Sequence, residues 1–412
     1  MHNLMLIIPE MSVGGAQRSL ANLSIELAHD FNVCLVVFNK AGLAPYNLGG
    51  ELYSLDVNSG HSGFVKVIAF FKRVINLRRL KKNLNIDVSL SFLEGADYVN
   101  ILSAKKDKVV ISIRGSKYFD EEIKGTIGRI RRKILMPFLY KFADKIVCVS
   151  HGIKDELQQR MRIPAEKLVV IHNFYERDQF FSNIRTDPQT EETFSPLFKY
   201  EFLLSIGRLH KQKNFGNLLD VFAHVIKDRK DLKLVIIGDG IEKEALAQRA
   251  RELDLAIYQK GDPLDPKKYQ VFFTGFQNPG SFLSHAKTFL LPSLWEGFPN
   301  ALMEALAFGV PVIAADCPTG PREILAPNST FDVIQNAEYT ETGVLLPLLN
   351  SKKAVKIWAT EVIKLIANQV QLENYKKNGP LRFKQFDRSV IYPEWFSLLS
   401  MLAESKRKSP GL

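Results

Sequence analysis

Short apolar runs punctuate the first half of the chain, and between them apolar positions return every three or four residues. Leu4–Ile8, Val33–Phe38, Val88–Phe92, Val109–Ile113, Lys145–Val149 and Val169–Ile171 read as buried strands. A Gly14-Gly15 turn follows the first run and opens an amphipathic helix from about Ala16 to His29. A basic helix is expected from Phe64 to Asn83, and a second before Lys145. Strands alternating with helices predict a parallel sheet in a Rossmann-like domain.

The rhythm breaks at Ser182–Pro196, which holds Asp187-Pro188, Ser195-Pro196 and several polar residues with no apolar period. It resumes at Phe202–Ile206, Lys233–Ile237, Val271–Thr274, Thr288–Leu291 and Val310–Ala314. Tyr258–Lys268 reads as a surface excursion, and about Lys352 to Ser405 as helical. A chain of 412 residues suits two domains. The expected division is 1–185 for the first domain, 186–198 for a linker, 199–380 for the second domain and 381–412 for a terminal helix.

Chemistry concentrates in the second half. Glu296 and Glu304 straddle a Gly-Phe-Pro-Asn turn that joins the Thr288–Leu291 strand to a helical pattern. That position is the carboxyl end of a parallel strand, where open α/β sheets bind ligands. The helix start offers N–H groups to an anion, and the carboxylates can accept from hydroxyls. An anion seat beside hydroxyl acceptors fits a nucleotide-sugar. Arg208 and Lys213 follow strand Phe202–Ile206 and belong at the same kind of edge, where they can meet a diphosphate.

The passage from Ser293 through Trp295, Glu296, Gly297, Phe298, Pro299, Asn300 and Glu304 to Asp316 resembles the signature of retaining glycosyltransferases of family 4. Ser205-Ile-Gly207-Arg208 with Lys213 and Asn214 resembles the diphosphate segment of the same family, and Val271–Phe276 and Gly14–Arg18 match two further landmarks. The resemblance implies α/β architecture of the GT-B kind: two Rossmann-like domains facing across a cleft, with a C-terminal helix returning to the first. It implies that the second domain binds the donor and the first the acceptor. Arg208 and Lys213 would stabilise the departing diphosphate, with Gly207 beside them. Glu296 would lie near the donor hexose and Glu304 would hold the ribose. Phe298, Pro299 and Asn300 would touch sugar and diphosphate, while Thr274, Gly275 and Phe276 would sit near the base. Gly14, Gly15 and Arg18 would face donor phosphate or acceptor.

Arg114 departs from the family, many of whose members carry a His at this place. An arginine stays protonated and cannot serve as a general base, so a phosphate or sugar contact is expected instead. The Asp316–Glu323 stretch looks like the form seen in members that extend lipid-linked glycans, including N-acetylgalactosaminyltransferases, and makes Glu323 a candidate hexose contact. The implied activity is transfer of a hexose or N-acetylhexosamine, with retention, from a UDP-linked donor to a lipid-linked glycan, as in capsule or lipopolysaccharide assembly. A soluble acceptor, or a catalytically silent protein that binds nucleotide-sugar, would use the same landmarks.

Gly14-Gly15 lacks the spacing of a dinucleotide fingerprint, and neither Asp-x-Asp, His-Glu-x-x-His nor paired Cys occurs, so neither a cofactor nor a required metal is expected. The three cysteines have no metal or redox spacing and read as buried thiols of a cytoplasmic protein. The first residues lack a basic leader, so no signal peptide is expected. The net charge of +11 includes seven Lys or Arg and no acid between His61 and Ile86, and a second basic region at Lys124–Lys141. Phe64, Val67, Ile68, Phe71, Val74 and Ile75 recur at helical spacing, predicting a helix with its apolar face in the core and its cations free for an anionic membrane. No nucleic-acid module accompanies the charge, and none is expected as a partner.

Overall fold

The computed structural model describes residues 1–12, 14–40, 46–58, 63–119, 125–175, 180–181, 186–327, 329 and 333–407. The chain divides into a unit formed by Met1–Phe174 with Arg388–Leu412, and a second formed by Tyr175–Asp387.

Among the described residues the first unit has seven parallel strands, β1 His2–Ile7, β2 Phe31–Val37, β3 Glu51–Ser54, β4 Val88–Phe92, β5 Lys108–Ile113, β6 Lys145–Cys148 and β7 Leu168–Val170. Their spatial order is β3-β2-β1-β4-β5-β6-β7. β1 ends in a continuous apolar run, and every residue of β4, Ser89 and Ser91 included, is buried, because helices cover both faces. On one face Leu4, Leu6, Leu20 and Leu90 pack with Trp395 and Leu399 of the terminal helix Arg388–Arg407. On the other, Met5, Ile7 and Val36 pack with Ala69 and Leu77 of helix Gly63–Asn83 and with Ala96 and Val99 of helix Glu94–Leu102.

Among the described residues the second unit has eight strands: β8 Phe202–Ile206, β9 Lys233–Ile237, β10 Ile257–Gln259, β11 Val271–Gly275, β12 Thr288–Leu291, β13 Val312–Ala315, β14 Glu338–Tyr339 and β15 Val344–Leu346. Their order is β10-β11-β9-β8-β12-β13-β15-β14, and among these described strands β14 alone runs antiparallel to its neighbour. The amphipathic helix Phe215–Asp228 buries Leu218, Phe222 and Val225 in a core shared with Leu234, Phe273 and Trp358. Near the middle of each sheet the strand order reverses direction, between β1 and β4 and between β8 and β12. Such switch points are where open α/β sheets leave room for a ligand.

Several features differ from the sequence reading. In the expected linker 186–198, residues Pro188–Phe198 are a helix, capped by Asp187 accepting from Thr190 N at 3.0 Å. Its Phe194 and Leu197 are buried and Phe194 packs on Phe282, so the helix belongs to the second unit. Residues 182–185, at the start of the polar stretch Ser182–Pro196, lie outside the described residues. The return to the first unit begins at Arg388, not 381; residues 408–412 are also outside the described set. Part of the expected excursion is the edge strand β10, paired with β11.

The largest reversal concerns helix Gly63–Asn83. The face that sequence periodicity places in the core is exposed: Phe64, Val67, Ile68, Phe71 and Ile75 are all open to solvent. The buried line runs through Ala69, Leu77 and Lys81. Arg73 also turns inward, donating to Val57 O at 2.9 Å and lying over the Phe38 ring at 4.5 Å. Two cations thus point into the protein because distant partners await them, which no local periodicity could reveal.

Candidate functional site

In the second unit β8 gives way to Gly207, where the chain makes room for a neighbour. A Cβ there would lie 2.9 Å from Lys213 Cε. Arg208 follows, exposed, and then a single turn of 3-10 helix, Lys211–Lys213, brings Lys213 back beside the strand end. His210 opens this turn, its Nδ1 accepting from Gln212 N at 3.3 Å. Asn214 closes it in the left-handed region (φ 56°) and donates its amide to Pro292 O at 3.1 Å and Leu349 O at 2.7 Å.

The loop after β12 is stitched to this turn. Leu294 N donates to Gln212 O at 2.8 Å, and Gln212 Nε2 donates to Trp295 O at 2.7 Å. The register so fixed sets Lys213 Nζ 2.6 Å from Glu296 Oε1. The two strongest sequence motifs therefore converge on one ion pair at the β8–β12 switch point. The side chains keep 17% and 7% exposure, so the pair lies at a wetted edge rather than in the core. No further hydrogen bond to either charged group is made by a described residue. Two of the three ammonium donors of Lys213 are left for a ligand.

A third loop, after β13, holds the Glu296 turn from behind. The Thr319 hydroxyl donates to Glu296 O. Gly320 sits at φ 92°, and a Cβ there would lie 2.9 Å from Gly297 O, so only glycine fits this approach. Arg322 fixes the loop with two bonds to Asp316, 3.0 and 2.8 Å, and a further one to Glu338 at 2.7 Å. Burial pushes the Asp316 carboxyl above its usual range against the pull of Arg322. Phe298 and Pro299 are buried in the turn, and Asn300 accepts from Tyr175 OH at 2.7 Å. The helix Asn300–Ala307 then starts with no side-chain cap, presenting its positive dipole end at the turn. Glu304, one turn in, is 4% exposed.

The remaining candidates of this unit are more dispersed. Thr274 is buried at the end of β11, Gly275 adopts φ 71°, and Phe276 projects with 67% exposure. They lie at the same sheet edge as Lys213, two strands from β8. Glu323 is half-buried in helix Pro321–Leu325, and its carbonyl accepts from Arg382 at 2.8 Å.

The first unit gathers its candidates at the carboxyl ends of β1, β4 and β5. Gly14 precedes helix Gly15–Leu27 and its N–H donates to Tyr46 OH at 3.2 Å. Arg18 is half-buried in the first turn. Arg114 follows β5, donates to Asn173 and lies over the Phe92 ring at 4.9 Å. Asn173 also accepts from Ser19 at 3.4 Å, linking the glycine-turn helix to Arg114. Leu93 holds φ 72° at the β4 end, an uncommon conformation for a branched side chain and a form of strain that gathers at functional sites. Next to it Glu94 pairs with Arg131 at 2.6 Å. Buried Glu156 accepts from Lys117 N and Tyr118 N at 2.7 and 2.9 Å, fixing the loop after Arg114; burial raises its pKa despite these bonds.

Sequence reasoning missed Gln212, Thr319, Arg322, Asn173, Glu94 and Glu156. None stands in a periodic pattern, and each acts through a partner brought close only by the fold. The spacing Asp316-x5-Arg322 was the one local hint. All three cysteines are buried and unpaired, and burial pushes the Cys34 thiol up to about 12.

Comparison with known proteins agrees with this geometry. Residues 13–179 match the family described as Glycosyltransferase Family 4, and residues 189–382 match Glycosyl transferases group 1. An uncharacterized glycosyltransferase of Methanocaldococcus jannaschii is 33% identical over 277 residues, 64% of each chain, a little under two thirds of either. The N-acetylgalactosamine-N,N'-diacetylbacillosaminyl-diphospho-undecaprenol 4-alpha-N-acetylgalactosaminyltransferase of Campylobacter jejuni is 25% identical, spanning 95% of this chain and 97% of that one. Among solved structures, sucrose-phosphate synthase from Thermosynechococcus elongatus superposes with a TM-score of 0.74 at 16% identity, covering 98% of this chain and all of the other. Anabaena HepE in complex with UDP-glucose gives 0.73 at 16% identity, covering 97% of this chain and 100% of that one. With two successive family domains along the sequence and two parallel-sheet units in the fold, the chain belongs to the GT-B glycosyltransferases.

Proposed function

We propose that this protein is a retaining glycosyltransferase that moves a hexose or N-acetylhexosamine from a UDP-sugar to a lipid-linked glycan in surface polysaccharide assembly. The observation that carries the reading is the Lys213–Glu296 pair at the β8–β12 switch point, with exposed Arg208 on the same loop. As the donor C1–O bond breaks, its electrons leave with the diphosphate. Fixed cations meet that charge more strongly in the transition state than in the ground state. Glu296 lies 2.6 Å from Lys213, and we assign it to the positive charge that develops on the sugar ring. The acceptor oxygen bonds C1 as its proton passes to the departing diphosphate, which leaves as UDP. Glu304 takes the ribose hydroxyls, and the exposed Phe276 covers the base, with Thr274 and Gly275 beneath it.

We assign the acceptor to the first unit, where Gly14, Gly15, Arg18 and Arg114 share one strand edge. Asn173 holds the Arg114 guanidinium in place, a geometry suited to a phosphate or sugar oxygen. Because Arg208 and Lys213 supply the leaving-group charge, we propose that turnover needs no divalent metal. The lipid-linked acceptor is supported by the relative that acts on a diphospho-undecaprenol glycan. It would place the enzyme on the cytoplasmic face of an anionic membrane.

The test is incubation with a panel of UDP-hexoses and UDP-N-acetylhexosamines and an undecaprenyl-diphosphate glycan, with NMR of the product linkage. Transfer with the donor's anomeric configuration is expected. Thermal protection by UDP without turnover of any donor would instead make this a binding protein. An inverted linkage would refute retention.

A further inference from the structure

The helix Gly63–Asn83 exposes Phe64, Val67, Ile68, Phe71 and Ile75 as a continuous stripe, with exposures from 39% to 76%. A second stripe lies along 130–142, where Ile130, Ile134, Phe138 and Phe142 follow one another every fourth residue. Their exposures run from 52% to 63%, and the Phe138 and Phe142 rings pack edge to face, 5.2 Å apart. A turn of π-helix, Arg131–Leu135, lies inside this second stripe. Soluble surfaces seldom carry apolar stripes this long, and such patches mark interaction sites.

Both stripes belong to one layer of the first unit. Helix Glu94–Leu102 contacts both Gly63–Asn83 and Met136–Tyr140, with the Tyr98 and Tyr140 rings 6.3 Å apart. Each stripe is edged by cations. Lys66, Lys72, Arg78, Arg79 and Lys82 are exposed on the first helix, and Arg129, Lys133 and Lys141 on the second segment. Neither 63–83 nor 125–142 contains an acid. A second copy of the chain would set cations against cations. An anionic lipid surface offers negative headgroups at the level of the cations and acyl chains for the apolar side chains.

We propose that these two stripes form one lipid-docking face, which inserts Phe64, Phe71, Phe138 and Phe142 below the headgroups of an anionic membrane. This goes beyond attraction by charge: apolar burial is insensitive to salt, whereas contacts between cations and headgroups are screened. It deepens the reading of a lipid-linked acceptor and rests on it for its purpose, but not for its test. Among the described residues no helix is long and apolar enough to cross a membrane, so the docking is to one leaflet.

The test uses the full chain and vesicles of phosphatidylcholine with phosphatidylglycerol. Wild type should cosediment at low salt and keep a bound fraction at about 1 M salt, where the Debye length is about 3 Å. The pairs Phe64→Ser with Phe71→Ser, and Phe138→Ser with Phe142→Ser, should each lower the partition coefficient about tenfold or more. Phe71→Trp and Phe138→Trp should each add emission that brominated acyl chains quench. Thermal protection by UDP reports a folded second unit in every variant. Its absence in wild type would count against the donor reading and leave the vesicle result standing. The docking face is refuted if neither introduced tryptophan is quenched. It is equally refuted if ultracentrifugation shows a wild-type dimer that the serine variants dissociate, which would give the face to a second copy.

Discussion

Two lysine–carboxylate pairs of similar length sit in the two units and could hardly differ more in use. Lys81 and Asp107 meet at 2.8 Å with 2% exposure on each side chain, while Lys213 and Glu296 meet at 2.6 Å with 17% and 7%. The Lys81 ammonium spends all three donors, on Asp107 Oδ2, Asn100 Oδ1 at 2.7 Å and Asn100 O at 3.1 Å. Asp107 in turn accepts from Ser89 at 2.7 Å and Lys105 N at 3.2 Å. Lys213 makes a single bond to a described residue, and its loop lies at a strand-order switch. Distance alone does not separate a structural ion pair from a functional one. The count of unused donors, and the edge of the sheet where they stand, does.

The comparison can be broken by substitution, and the largest effect is expected at the buried pair. Lys81→Met leaves Asp107 charged and buried without its partner, which costs about 3–5 kcal/mol of stability. Denaturant unfolding should show the loss while activity per folded molecule persists. Burial works against the charged Asp107, yet Lys81 prevails and holds its pKa below the usual carboxylate range. The folded state therefore binds that proton less readily than the unfolded chain. The stability it contributes is present above the ordinary Asp pKa and lost as pH falls through the lower folded value. In Asp107→Asn this part of the acid sensitivity should vanish; an unchanged acid limb would show that the pair is not what titrates.

Lys213→Ala should do the opposite: turnover falls by about 10²-fold, the scale of one fixed transition-state donor, with the unfolding midpoint hardly moved. Arg208→Ala is expected to match it. Wild-type rates in both would remove the diphosphate assignment. A smaller split is expected between the two glutamates. Glu304→Gln should mainly raise the donor KM, and Glu296→Gln should lower kcat by about tenfold, because only the latter faces charge that develops during reaction. If both act on KM alone, Glu296 is a binding residue. The smallest effect is reserved for chelation. Excess EDTA should change the rate by less than about twofold if Arg208 and Lys213 neutralise the leaving group, and full loss restored by Mg²⁺ would overturn metal independence.

The same contrast explains what could be read from the chain. Strands β8, β9 and β12 were legible to the residue because each is a short apolar run closed by Gly or Pro. The Glu296 and Lys213 motifs were legible because a ligand edge demands particular residue types in a particular order. Helix Pro188–Phe198 was not, since Phe194 and Leu197 are too few to make a period among polar residues. Helix Gly63–Asn83 was found, but with its faces exchanged. Its pattern of Phe64, Val67, Ile68, Phe71 and Ile75 is a true amphipathic stripe. The core instead takes the line through Lys81, because Asp107 and Asn100 wait there. Tertiary partners decide which face is inside when both faces offer apolar side chains. The short edge strands β3, β10 and β14 carry only weak alternation, and their pairing comes from neighbours already in place.

The terminal helix Arg388–Arg407 carries a consequence for how the chain is made. It supplies Trp395, Leu398 and Leu399 to a core whose other residues precede Tyr175, and Arg388 pairs with Glu26 at 2.5 Å across most of the sequence. During synthesis the ribosome emits all of the second unit before this helix appears. Domains tend to fold as units in the order they emerge, but here the unit begun first can be finished only last. Ribosome-bound chains stopped at Asp387 should therefore show a protease-resistant second unit beside a first unit that is still cut; resistance of both would contradict this order. Until the last helix docks, the part of this core that Trp395, Leu398 and Leu399 fill has no cover of its own, although Leu20, Leu23 and Leu27 already pack on the same cluster.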